Sequence, residues 1–101
     1  MSEISKLDES LIVKKIDHTT VNIQITDNEM LMSIVGEFNK NLKEVEKLTN
    51  TNVFCRGNSI TCKGKESDLK DFSEAVKFLI DKYLLTNFIE KEDIILSVKK
   101  Y

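Results

Sequence analysis

Apolar and polar positions alternate with a period of two over residues 20–26. Val21, Ile23 and Ile25 fall on one side, and Thr20, Asn22, Gln24 and Thr26 on the other, as in a strand with one covered face. The period then lengthens. Met30, Leu31, Ile34 and Val35 recur at helical spacing behind Asp27, a good N-cap, and the pattern stops at Gly36. It resumes with Leu42, Val45 and Leu48 facing the core, which predicts a second helix from Asn39 or Lys40 to about Thr49. Residues 52–56 and 59–63 read as a hairpin turned by Gly57-Asn58, with Cys55 opposite Ile60 and Val53 opposite Cys62. Leu69, Phe72, Val76, Leu79, Ile80, Tyr83 and Leu84 lay a wide apolar stripe along a helix from about Ser67 to Thr86. A last helical segment falls within residues 90–101, with Ile94, Ile95 and Val98 apolar.

The order strand–helix–turn–helix–strand–strand–helix predicts an α+β fold. Its economical form is a three-stranded antiparallel sheet with helices on one face, plus the C-terminal helix. Residues 11–13 are apolar enough for a short strand, but 14–19 read as a connection, so 1–19 are expected to form a flexible N-terminal segment. The domain proper is then 20–86, and 87–101 a C-terminal helix.

Composition narrows the function classes. The 101 residues make one domain, 41% apolar and 32% charged, with no proline or tryptophan. The net charge of −2 argues against tight nonspecific nucleic-acid binding by the whole surface, so any such contact must use a local basic patch. The polar, acidic start does not resemble a signal peptide, and no apolar run approaches membrane-spanning length. A cytoplasmic location without membrane contact is expected. Two cysteines without metal-ligand spacing fit a reducing compartment and read as small buried apolar residues. His18 has no second ligand type near it and reads as structural or exposed. No nucleophile–base pair, metal cluster or paired carboxylates emerge, so this chain is not expected to be an enzyme. Asp81, Glu90, Glu92 and Asp93 read as solvated helix surface and caps.

Candidate chemistry gathers at residues 34–42. A helix that stops and restarts there needs a residue free to adopt positive φ, and Gly36 supplies it. Asn39 is placed to cap the second helix through its side-chain oxygen. Lys40, Lys43 and Lys47 share one face of that helix, with Glu44 and Glu46 interleaved. Two readings stand: a solvated helix corner, or a phosphate-binding helix start flanked by lysines. The nucleic-acid-binding set under the second reading is Gly36, Asn39, Lys40, Asn41, Lys43, Lys47 and Arg56. Phe54 lies on the hairpin face opposite Val53 and Cys55, where it either stacks on a base or packs against the N-terminal segment. Arg56 either joins the phosphate set, pins the hairpin turn, or meets an acid such as Glu37.

The element order with a glycine turn between the first two helices resembles a type I KH domain, β-α-α-β-β-α, whose G-x-x-G loop clamps the backbone of single-stranded nucleic acid. Here the loop is Gly36-Glu37-Phe38-Asn39, with Asn at the second glycine's place and Glu37 where a phosphate would lie. A nearer resemblance joins Asp27-Asn28-Glu29-Met30-Leu31, Gly36-Glu37-Phe38-Asn39-Lys40-Asn41-Leu42, Arg56-Gly57-Asn58-Ser59-Ile60 and Gly64. These runs resemble the KH-like N-terminal domain of PhoH-like proteins, phosphate-starvation-inducible P-loop ATPases. The resemblance covers about residues 20–98 and implies an accessory, RNA-contacting domain ahead of an ATPase. No G-x-x-x-x-G-K-[ST] occurs in the chain. ATP and Mg²⁺ are therefore implied only for the absent ATPase domain, and no cofactor is expected here. The expected partners are single-stranded RNA, that ATPase domain, or a second copy of the chain. The alternative function is docking or oligomerisation without nucleic acid, favoured by the acidic balance and by the apolar C-terminal residues Leu84, Leu85, Phe88, Ile94, Ile95 and Tyr101.

Overall fold

A computed structural model describes residues 11–98. The chain runs β1 (Leu11–Asp17), β2 (Thr20–Ile25), α1 (Asn28–Val35), a 3₁₀ turn (Glu37–Asn39), α2 (Lys40–Thr49), β3 (Asn52–Arg56), β4 (Ser59–Lys63), α3 (Glu66–Thr86) and α4 (Lys91–Val98). The four strands form one antiparallel sheet in the order β1-β2-β4-β3. The inward residues of β2 and β4 and the apolar stripes of the helices share a single core on one face of the sheet. Among the described residues no helix is long and apolar enough to cross a membrane.

The sheet corrects the expected three strands to four. Residues 11–17, read as part of a flexible segment, pair along β2 from Leu11↔Ile25 to Asp17↔Thr20. The strand was hard to read because it is an edge. The two-residue alternation breaks at Lys14-Lys15, and the register shifts between Lys15 and Asp17, as a bulge does. The turn into β2 is an Asx-type turn: the Asp17 carboxylate accepts from the Thr19 N–H at 2.8 Å and its hydroxyl at 3.0 Å. These two bonds hold the Asp17 carboxyl below its ordinary pKa. His18 sits exposed in that turn. Residues 1–10 and 99–101 lie outside the described residues, and with them the first half of the expected flexible segment and the end of the expected last helix.

Elsewhere period and packing agree. Asp27 caps α1, its side chain accepting from the Met30 N–H at 3.1 Å. The hairpin register is Val53↔Cys62 and Cys55↔Ile60, as the two-residue turn requires. Two helical expectations are shifted. Leu48 is 43% exposed, and Thr49 takes the inward place one turn after Val45. Thr49 is satisfied there by donating to the Val45 carbonyl at 2.7 Å and sharing a hydroxyl bond with Thr51 at 2.8 Å. Asp93 is buried rather than solvated. It accepts from the Glu90 N–H at 2.8 Å, capping the start of α4, and its other oxygen lies 3.4 Å from Lys82 Nζ on α3. One carboxylate thus both starts α4 and ties it to α3.

Both cysteines are free; Cys62 is buried and Cys55 half-buried. Burial pushes the Cys62 thiol up from 9.0 to about 11, with the Glu46 charge adding to the rise and a Thr51 hydrogen bond opposing it. The raised value belongs to the folded state, which therefore keeps its proton where the unfolded chain has lost it. This stabilisation is complete below pH 9 and fades as pH climbs toward 11, a step of about 2 kcal/mol. Urea midpoints measured at pH 8, 9.5 and 11 are expected to fall accordingly, and most of that fall should vanish in Cys62→Ala.

Candidate nucleic-acid interface

The α1–α2 connection is organised by Gly36, whose φ of 81° and ψ of 167° place it in a region open essentially to glycine alone. Its N–H closes α1 by donating to the Met32 carbonyl at 2.8 Å, and its own carbonyl accepts from the Asn39 N–H at 3.0 Å. A Cβ at Gly36 would come within 2.7 Å of the Asn41 side-chain carbon and nitrogen. Asn41 lies against the turn because its amide donates to the Ser33 carbonyl at 3.2 Å, latching the start of α2 to the end of α1. Asn41, expected to contact a ligand, therefore uses this amide N–H to hold the turn together.

Phe38 and Asn39 both take left-handed backbone angles, with φ of 56° and 61°. Asn39 occupies the N-cap of α2 as expected, but makes no side-chain cap bond. Its role is conformational: asparagine tolerates this region better than most residues with a side chain. A phenylalanine there is strained, and its ring is 86% exposed at the tip of the turn. The sequence reading passed over Phe38. Its only signal was an aromatic residue inside a turn otherwise built of Gly, Glu and Asn.

Lys40, Lys43 and Lys47 run down the exposed side of α2 and have no ion-pair partner among the described residues. The interleaved acids are less intrusive than their spacing suggested. The Glu46 carboxylate accepts from the Val53 N–H at 2.8 Å, tying α2 to the outer edge of β3. Glu44 is half-buried beside α4. The lysines span about 10 Å along the helix axis.

The turn stands between two grooves. One, of about 450 Å³, opens toward the β3–β4 hairpin and is lined by Gly36, Glu37, Asn39, Met32, Cys55 and Gly57. The other, of about 660 Å³, opens toward α4, with Lys40, Asn41, Glu44, Phe88, Ile89 and Ile95 on its walls. The structure thus gathers Gly36, Asn39, Lys40 and Asn41 at one corner, with Lys43 and Lys47 further along α2. Arg56 is not brought to the lysines. Val53 and Cys55 pack toward the core, so Phe54 and Arg56 point to the opposite face of the sheet. Phe54 is 57% exposed, and the described part of the N-terminal segment lies at the far edge, so packing of the ring against residues 11–17 is ruled out.

No protein-family model and no curated protein matches the chain.

Replacing Gly36 by Ala is expected to cost about 2 kcal/mol or more, through both backbone strain and the clash with Asn41. Asn39→Gly, at a position whose angles suit glycine, should shift stability by less than about 1 kcal/mol. Urea denaturation of the two variants checks the contrast.

Proposed function

We propose that this domain binds single-stranded nucleic acid, RNA before DNA, as the accessory domain of a PhoH-like P-loop ATPase. The observation that carries the binding reading is the lysine row of α2, which has no ion-pair partner among the described residues and begins immediately after the Gly36–Asn39 turn. A phosphate backbone laid along α2 would meet three cations in succession, the first of them, Lys40, at the helix start where backbone amides favour an anion.

The KH-like part of the proposal has topological support. With β1 set aside, the elements follow β-α-α-β-β-α, and the strand that comes third lies between the other two. The left-handed angles of Asn39 also account for a departure from G-x-x-G: asparagine stands where the backbone asks for positive φ. The PhoH-like assignment and the preference for RNA rest on the residue runs that carry the resemblance. ATP and Mg²⁺ belong to the ATPase domain of that family, and this domain contributes no catalytic group to the proposal.

A second reading, domain docking or self-association, is favoured by the apolar surface on and near α4. Leu85, Phe88, Ile95 and Leu96 are 83%, 58%, 47% and 49% exposed. The two readings separate in solution. Fluorescence anisotropy with labelled single-stranded RNA at several salt concentrations is expected to show affinity falling by a log–log slope of about −0.7 per phosphate contacted. Lys40→Glu/Lys43→Glu should weaken that binding at least about tenfold and lower the salt slope. Concentration-dependent oligomers with no RNA binding at low salt would instead support docking.

A further inference from the structure

The face of the sheet turned away from the helices carries its own pattern. Register places Lys14, Asn22, Thr61 and Phe54 in one row across the four strands. Gln24, Ser59 and Arg56 make the row on one side of it, and Thr20, Lys63 and Asn52 the row on the other. Apart from Phe54, whose ring is exposed, and Ile12, which pairs with Gln24 at the β1 edge, the residues of these rows are polar. Its charges are Lys14, Arg56 and Lys63, on a chain whose net charge is −2. Among the described residues the one carboxylate in register with these rows, Asp17, is turned into its own hairpin by two bonds from Thr19. None of the three cations has an ion-pair partner among the described residues.

We propose that this face is a second platform for single-stranded nucleic acid, separate from the turn and α2, with Phe54 as the ring on which a base stacks. The arrangement answers the three needs of such a ligand. Phe54 offers an aromatic surface held on a rigid strand, and base–aromatic stacking tolerates any sequence. Arg56 and Lys63 lie on opposite sides of it along the sheet, each about 7–8 Å away by strand geometry, where the phosphates on either side of a stacked nucleotide run. Asn22 has its amide fixed by the hydroxyls of Ser59 at 2.7 Å and Thr61 at 2.9 Å, so the polar row beside the ring is ordered before any ligand arrives. A neutral or cationic protein surface would gain nothing from three such cations. A phosphate backbone would, and binding to it should weaken with salt.

The absence of tryptophan from the chain gives a direct test. Phe54→Trp places a single indole on the platform, on an exposed edge-strand site where folding should persist. Titration with single-stranded oligouridine is expected to quench its emission saturably. A strand of the same length made of abasic sugar-phosphate units should leave it unquenched. In anisotropy, Phe54→Ala should weaken oligouridine binding about tenfold and Arg56→Glu/Lys63→Glu by more, while Phe54→Tyr restores it. An unquenched indole, together with unchanged affinity of Phe54→Ala, overturns the platform. If Lys40→Glu/Lys43→Glu still weakens binding in that case, the α2 surface stands without it. If quenching persists in Lys40→Glu/Lys43→Glu with affinity unchanged, the sheet face binds alone and the α2 reading falls. No binding by the unaltered domain at low salt overturns both.

Discussion

The angle between α1 and α2 hangs on one glycine and one amide. Gly36 adopts backbone angles closed to other residues, and the space a Cβ would need is filled by Asn41, whose amide bonds to the Ser33 carbonyl. Each half requires the other. Without the glycine the amide has no room, and without the amide the last turn of α1 loses a partner for one of its carbonyls. The latch sets where α2 begins and so which residues face out. Leu42, Val45 and Thr49 go to the core, leaving Lys40, Lys43 and Lys47 as a row without ion-pair partners among the described residues. It also forces Phe38 and Asn39 into left-handed angles and holds the Phe38 ring in water. Strain of this kind persists only where the surroundings fix it, and here they do so beside the proposed strand-binding surface.

A second division follows from the sheet. Because every helix packs on one face, side-chain alternation sorts the chemistry of β2, β3 and β4 into an apolar inner layer and a polar, basic outer one. The edges of the sheet are closed by different means: β1 by its lysines and bulge, β3 by the Glu46 carboxylate on the Val53 amide. Glu46 therefore bears on the proposed surface only indirectly. By bonding to β3 it fixes α2 against the sheet and takes one negative charge away from the lysine row.

The sequence disclosed the elements that obey a single period. The β2 alternation, the α1 and α3 stripes and the hairpin register all follow from residue spacing, because packing against one core rewards that spacing directly. It disclosed less where tertiary context decides. β1 is an edge strand whose bulge breaks the alternation, so its seven residues looked like a connection. Thr49 rather than Leu48 turns inward because helix phase outweighs hydrophobicity once the hydroxyl finds the Val45 carbonyl. Asp93 looked like surface, since nothing local announces that Lys82 will stand beside it. Of the candidate site, Gly36 and the lysine row were legible from residue type and spacing. The latch made by Asn41, the strained Phe38 and the separation of Arg56 from α2 depend on backbone angles and strand facing that no motif encodes.

The central claim is that the turn and α2 receive a single strand. Amide chemical-shift mapping of the labelled domain during titration with single-stranded oligouridine tests it most directly. The account expects the largest shifts at Gly36, Phe38, Asn39, Lys40, Lys43 and Lys47, diminishing as salt is raised. Shifts confined to the exposed apolar residues of α3 and α4, or no shifts at low salt, would contradict it.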